Sequence, residues 1–192
     1  MDMEGMDHGS MDHGDMNMRD RSLAPPTMAV GVGVQTISPI PENRLAERPL
    51  GLENEPHRVL VYTDPVALNP NADTRPPSRT LEIHLTGNME RYMWGFDGRR
   101  FSEIVEPIRF ERNERVRVTL VNDTMMQHPI HLHGHFFQLV NGHADNQPLK
   151  HTVNVAPGGR LSFDLTADNP GDWAFHCHMM MHMHSGMFNV VT

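Results

Sequence analysis

Trp173-Ala174-Phe175-His176-Cys177-His178-Met179-Met180-Met181-His182, running on through Met183-His184-Ser185-Gly186-Met187, is the stretch on which the reading of this chain turns. It holds the only cysteine of the sequence, flanked by two histidines, with a third histidine and a methionine downstream. In an extended strand successive side chains point to opposite faces. His176 and His178 therefore look one way and Cys177 the other. If both faces bind metal, two sites sit back to back, joined by a covalent path one residue long. Such a path can carry an electron.

The donor types narrow the metal. Two imidazoles and a thiolate, with a long weak thioether on the axis, make the blue-copper electron-transfer site. Cys177, His182 and Met187 supply three of those four ligands within eleven residues. A second constellation, His128-Pro129-Ile130-His131-Leu132-His133-Gly134-His135, can supply the fourth. His131 and His133 again lie two apart on one strand face and can join His176 and His178 in one metal cluster. His128, just ahead of the expected strand, is left free for the Cys177 copper. Plainer readings exist: a lone cysteine is usually a small buried hydrophobe, and a methionine usually fills a core. A surface His-x-His also binds metal adventitiously. Two histidines flanking Cys177, with a third five residues on, weigh against the plain reading there, and the pairing of the two segments strengthens His128, His131 and His133.

The rest of the chain is one domain's worth of sequence with flanks. It has 192 residues and a formal charge of −8, an acidic balance that argues against nucleic acid as a partner. No apolar run is long enough to cross a bilayer, and no charged, then apolar, then small-residue signal opens the sequence. With one cysteine there is no internal disulfide to report on compartment. Residues 1–20 are a low-complexity segment in which Met6-Asp7-His8-Gly9-Ser10 is echoed by Met11-Asp12-His13-Gly14-Asp15, and six of the sixteen methionines fall here. So polar a segment is expected to be disordered. It is a solvated tail or a copper-collecting arm; thioethers select Cu(I) and add nothing to solubility, which favours the arm.

Residues 21–56 are proline-rich and read as linker, with Val30-Gly31-Val32-Gly33-Val34 as an optional edge strand. Residues 57–192 carry the strand signals. Arg58–Tyr62, Thr80–Leu85, Glu114–Val121, Ile130–Val140, His151–Val155, Arg160–Leu165, Asp172–His178 and Met187–Val191 are expected strands, punctuated by Gly142, Pro157-Gly158-Gly159 and Asn169-Pro170-Gly171. Only Met179–Met183 suggests a turn of helix. Many short strands without intervening helices predict an all-β sandwich.

The His-x-x-His-x-His of His128–His133, with the His-Cys-His-x-x-x-His-x-x-x-x-Met of His176–Met187, resembles the two C-terminal copper motifs of the multicopper oxidases. Leu85-Thr86-Gly87-Asn88-Met89-Glu90-Arg91-Tyr92, Asn122-Asp123-Thr124-Met125-Met126, Lys150-His151-Thr152 and the Met-Asp-His repeats resemble the bacterial copper-resistance protein A branch. The resemblance covers about Arg58 to Thr192. It implies a Greek-key cupredoxin (plastocyanin-like) β-sandwich and a periplasmic location. It assigns His128, Cys177, His182 and Met187 to a type 1 copper, His131 to a type 2 copper, and His133, His176 and His178 to type 3 coppers. It gives His135 no ligand role. His184 is read as a non-ligand too, His151 lies behind the ligands or at the surface, and Met179, Met180, Met181 and Met183 pack around the type 1 copper, with a Cu(I) path as the weaker reading. His57, His84 and His143 carry no argument.

In such oxidases the type 1 copper takes single electrons from a reductant and passes them along the Cys177–histidine strand to a trinuclear cluster, where dioxygen becomes water. The complete cluster takes twice as many histidines as the four this chain provides. The resemblance therefore implies a C-terminal oxidase domain, cut from a longer protein or encoded as a short product, that oxidises Cu(I) or phenols only with N-terminal domains in cis or trans. A stand-alone copper-binding or electron-transfer cupredoxin is the alternative, and two copies pooling their histidines is a third.

Overall fold

The computed structural model describes residues 17–192, so most of the expected disordered arm, residues 1–16, lies outside the described residues. Two sheets carry the fold, and the described residues contain ten strands. The larger sheet has β1 (Arg79–Asn88), β2 (Met93–Phe96), β3 (Arg115–Asn122), β5 (Phe137–Leu139), β6 (Leu149–Lys150) and β8 (Arg160–Thr166), ordered β2-β1-β3-β8-β5-β6. The smaller has β4 (His128–Leu132), β7 (Thr152–Val155), β9 (Trp173–Cys177) and β10 (Phe188–Val191), ordered β10-β9-β4-β7. All pairings are antiparallel except β1 with β3. One α-helix, α1 (Met180–His184), joins β9 to β10. No helix among the described residues is long and apolar enough to cross a membrane.

The alternation read from the sequence becomes the core. Val116, Val118 and Leu120 of β3 and Phe163 and Leu165 of β8 meet Ile130, Leu132, Val153, Val155 and Phe175 of the smaller sheet, all buried. Each such side chain stabilises the fold by about 1.5–3 kcal/mol. Phe137 and Phe163 stack with centroids 4.0 Å apart. Residues 17–45 pass over this sandwich: Met28, Val34 and Ile37 form a small buried cluster, and Leu45 reaches the main core. Within residues 17–20, Asp20 N–H donates to the Asn17 carbonyl, and Met18 accepts from Ile37 N–H at 2.7 Å.

Four local expectations change. Arg58–Tyr62 forms no strand; Asp64 takes Val61 N–H at 3.0 Å and the Arg58 guanidinium at 2.7 Å, and the turn so formed uses a backbone N–H that a ladder would need. Val30–Val34 is likewise turn and coil. The run Ile130–Val140 divides, because at Gly134, where φ is +71°, the chain leaves one sheet for the other. A Cβ on Gly134 would lie 2.2 Å from the Trp173 ring, so only glycine makes this crossing. Met93–Phe96 is a strand the sequence did not advertise, and His128 opens β4 rather than preceding it.

Candidate metal centre

The site grows out of the register between β4 and β9. Ile130 lies opposite Cys177 and His131 opposite His176. The pleat turns Ile130 and Cys177 inward, where they are 1% and 0% exposed, and sends His131 and His176 to the other face. His128, two residues before Ile130, shares the inward face and is fully buried. His182 arrives on α1, and a tight return closes the loop: Met187 N–H donates to the His182 carbonyl at 3.0 Å, and Cys177 N–H to the Met187 carbonyl at 3.1 Å. Met187 is fully buried in the same apolar cluster as Cys177.

These loops bring three donor atoms together. Cys177 Sγ is 3.7 Å from His128 Nδ1 and 3.9 Å from His182 Nδ1, and the two nitrogens are 3.1 Å apart. A metal bonded at about 2.0 Å to nitrogen and 2.3 Å to sulfur, with angles of about 100–130° as in a distorted trigonal site, spaces its donors about 3.1–3.9 Å apart, so the three atoms fit a small transition-metal ion. Burial, with the neighbouring His182 adding to it, pushes the His128 imidazole down to about 3, and burial lowers His182 as well. Both rings therefore stay neutral and keep a lone pair. Burial pushes the Cys177 thiol up to about 11, offset in part by a backbone hydrogen bond from Met179. A cation arriving here displaces that proton, as a soft metal does. Trp94 of β2 lies flat on His182, with centroids 4.0 Å apart, and edge-on to His128 at 5.3 Å.

The other face carries a second group. Ligand atoms of His131, His133 and His176 lie within 4.8 Å of one another, with His133 Nε2 and His176 Nε2 3.1 Å apart. His131 Nδ1–H donates to the His151 carbonyl at 2.6 Å, and His176 Nδ1–H to the Cys177 carbonyl at 3.0 Å. Each bond fixes the tautomer that leaves Nε2 free as a donor atom. Burial lowers the pKa of both rings, the carbonyl bonds offsetting part of the shift. His178 stands at the rim of this group, its ring 5.6 Å from that of His131 and 5.9 Å from that of His176. His133 and His178 are exposed, so this face opens to solvent.

The remaining histidines fall elsewhere. His135 is buried edge-on to Trp173 and belongs to neither group, and His184 is exposed on α1. His84, which carried no sequence argument, is buried against Asp123 at 2.6 Å. Sequence reasoning missed Trp94, and it used Thr124 only for its resemblance, although Thr124 Oγ1 is 2.7 Å from His128 Nε2.

Two packed, mostly antiparallel sheets with a buried His-Cys-His set at one end define a cupredoxin-like domain. The chain belongs to the multicopper oxidase family, whose model matches residues 74–192; the family implies copper. It is 45% identical over 160 residues to copper resistance protein A of Pseudomonas syringae pv. tomato, covering 83% of this chain and 26% of that protein. It is 44% identical, with the same shares, to copper resistance protein A of Escherichia coli. The chain thus spans about a quarter of the length of these curated relatives. The blue copper oxidase from Nitrosomonas europaea shares the fold at a TM-score of 0.56 and 23% identity, over 65% of this chain and 46% of that one.

Proposed function

We propose that residues 57–192 are the C-terminal cupredoxin domain of a multicopper oxidase that handles copper in the periplasm. In this reading His128, Cys177, His182 and Met187 hold a type 1 copper, and His131, His133, His176 and His178 are half the ligands of a trinuclear cluster. N-terminal oxidase domains, in cis or in trans, supply the other half, and residues 1–20 collect copper. When bound, copper supplies one-electron redox chemistry and, at a completed cluster, the reduction of dioxygen to water with four electrons and four protons.

One observation carries this reading: Cys177 faces the dry interior while His176, its covalent neighbour, faces the open histidine group. The two ligand sets are thus linked by a short covalent path through adjacent residues, with the His176 ring also bonded to the Cys177 carbonyl. The chain's own contributions follow from this placement. The sandwich excludes water from the Cys177 thiol, Trp94 and α1 hold His182, and the His151 and Cys177 carbonyls orient the outward imidazoles. The reductant is a cuprous ion or a phenol. The two relatives are named for copper resistance, which favours the cuprous ion.

A second reading, a stand-alone copper-binding or electron-transfer protein, is favoured by one feature: the His128-Cys177-His182 set is complete within this chain. Electron paramagnetic resonance and visible absorption of the Cu(II)-loaded protein, followed by oxygen uptake with and without the N-terminal domains, separate the two. Intense blue colour with oxygen uptake only when those domains are added supports the oxidase domain. Blue colour and no uptake in any mixture supports the second reading, and protein that stays colourless even with those domains added overturns both.

A further inference from the structure

Thr124 and His128 meet in the interior, 3% and 0% exposed, with the hydroxyl 2.7 Å from His128 Nε2. Which of the two atoms gives the hydrogen turns on Asn122, itself fully buried. The Asn122 side-chain amide nitrogen lies 2.7, 3.0 and 3.1 Å from the carbonyls of Met126, Val155 and Ala156. Carbonyls only accept, so that end of the amide is NH₂ and the oxygen faces Thr124. Asn122 Oδ1 lies 2.9 Å from the Thr124 hydroxyl, and the Met126 carbonyl lies 3.0 Å from it. Both accept, and with His128 Nε2 they compete for the one hydrogen of the hydroxyl, whose oxygen also takes Met126 N–H at 3.2 Å. A hydrogen spent on Asn122 or Met126 leaves none for His128. In that arrangement the hydroxyl oxygen accepts and His128 carries its hydrogen on Nε2.

A neutral imidazole has one N–H, so Nδ1 keeps its lone pair. Nδ1 is the atom 3.7 Å from Cys177 Sγ. We propose that Thr124, oriented by Asn122, is a positioning residue that locks His128 in the tautomer whose lone pair faces Cys177 before any metal arrives. The consequence for copper rests on the function proposed above; the tautomer itself does not. The residue between Asn122 and Thr124 is pinned as well. The Asp123 backbone carbonyl accepts the Thr36 hydroxyl at 2.6 Å, one carboxylate oxygen accepts Ser38 N–H at 2.8 Å, and the other meets the His84 ring.

A long-range ¹H–¹⁵N correlation spectrum of the metal-free full chain reads the His128 tautomer directly. The expected result is hydrogen on Nε2. Thr124→Val, which keeps the shape and removes the acceptor, is expected to give a tautomer mixture and about 10- to 100-fold weaker copper binding, the usual effect of losing a group behind a metal ligand. Thr124→Ser restores the hydroxyl and should recover both readings. Hydrogen on Nδ1 in the wild type overturns the proposal, as does a folded Thr124→Val protein with unchanged tautomer and copper affinity. The wild-type spectrum decides even if Thr124→Val does not fold. Nε2–H in a protein that binds no copper would overturn the proposed function and leave this inference standing.

Discussion

Trp94 lies on the His182 imidazole with the two planes 21° from parallel, and it gets there because Gly87 is its partner across the β1–β2 pair. A Cβ on Gly87 would sit 2.5 Å from the indole. Trp94 is 1% exposed, so Trp94→Ala should cost about 3–5 kcal/mol and lower the melting temperature by roughly 6–15 °C. Trp94→Phe keeps a ring over His182 and should lose less than half as much. Calorimetry of the metal-free variants checks this, and equal losses would mean that stacking contributes nothing.

The two faces of the β4–β9 pair should fail separately. Cys177→Ser is expected to abolish blue colour while the far-ultraviolet circular dichroism stays that of a folded sandwich, since a hydroxyl cannot replace the thiolate. His131→Ala should keep the colour, because its side chain points away from Cys177. Loss of colour in His131→Ala would show that the sheet does not insulate the two sites.

His84 sets a pH dependence of its own. Burial alone would lower its pKa, but the Asp123 bond, with Glu82 and Asp97 nearby, outweighs burial and raises it above 6.5. The fold therefore favours the charged ring. Its contribution is fully present below the unfolded value of 6.5 and is lost as pH rises through the higher folded value. Other histidines cancel if wild type is compared with His84→Gln at each pH. The deficit of the variant in denaturant midpoint should be largest near pH 5 and shrink towards pH 9; a deficit that grows with pH would mean the buried ring is neutral.

Gly134 and Gly142 both have positive φ, at +71° and +97°. Only Gly134 is also crowded, its missing Cβ falling 2.2 Å from Trp173, whereas nothing lies within 4 Å of one on Gly142. Gly142→Ala should cost about 1–2 kcal/mol from backbone strain. Gly134→Ala should cost about 1–3 kcal/mol more from overpacking. Urea unfolding of both variants measures the difference.

The donor set was legible because its residues are rare and their spacing is short. Cys177 and His182 come from one strand-and-turn, where alternation and a single helical turn bring their donor atoms together. His128 could be paired with them because the second motif has the same two-residue period. Trp94 was not legible. Its contact depends on a hairpin whose strand, Met93–Phe96, contains a glycine and is bracketed by Tyr92 and Asp97, both at φ +50°, which read as turn. Arg58–Tyr62 misled in the opposite sense: β-branched residues signal strand, but Asp64 satisfies the backbone locally. Thr124 was visible as a residue and silent as a partner, since its role depends on which end of Asn122 faces it.

A sheet is a wall one side chain deep, and β9 puts Cys177 on one side of it and His176 on the other. Ions reach His133 and His178 from solvent without any motion of the chain. An ion held between His128, Cys177 and His182 would be enclosed by side chains at most 1% exposed, so its release would need local opening around the α1 turn that carries His182. Residence time on the inner side is then expected to follow such local opening, and on the outer side diffusion. The same five-residue strand separates a slowly exchanging compartment from a fast one, so the order in which a chelator empties them is written into its pleat.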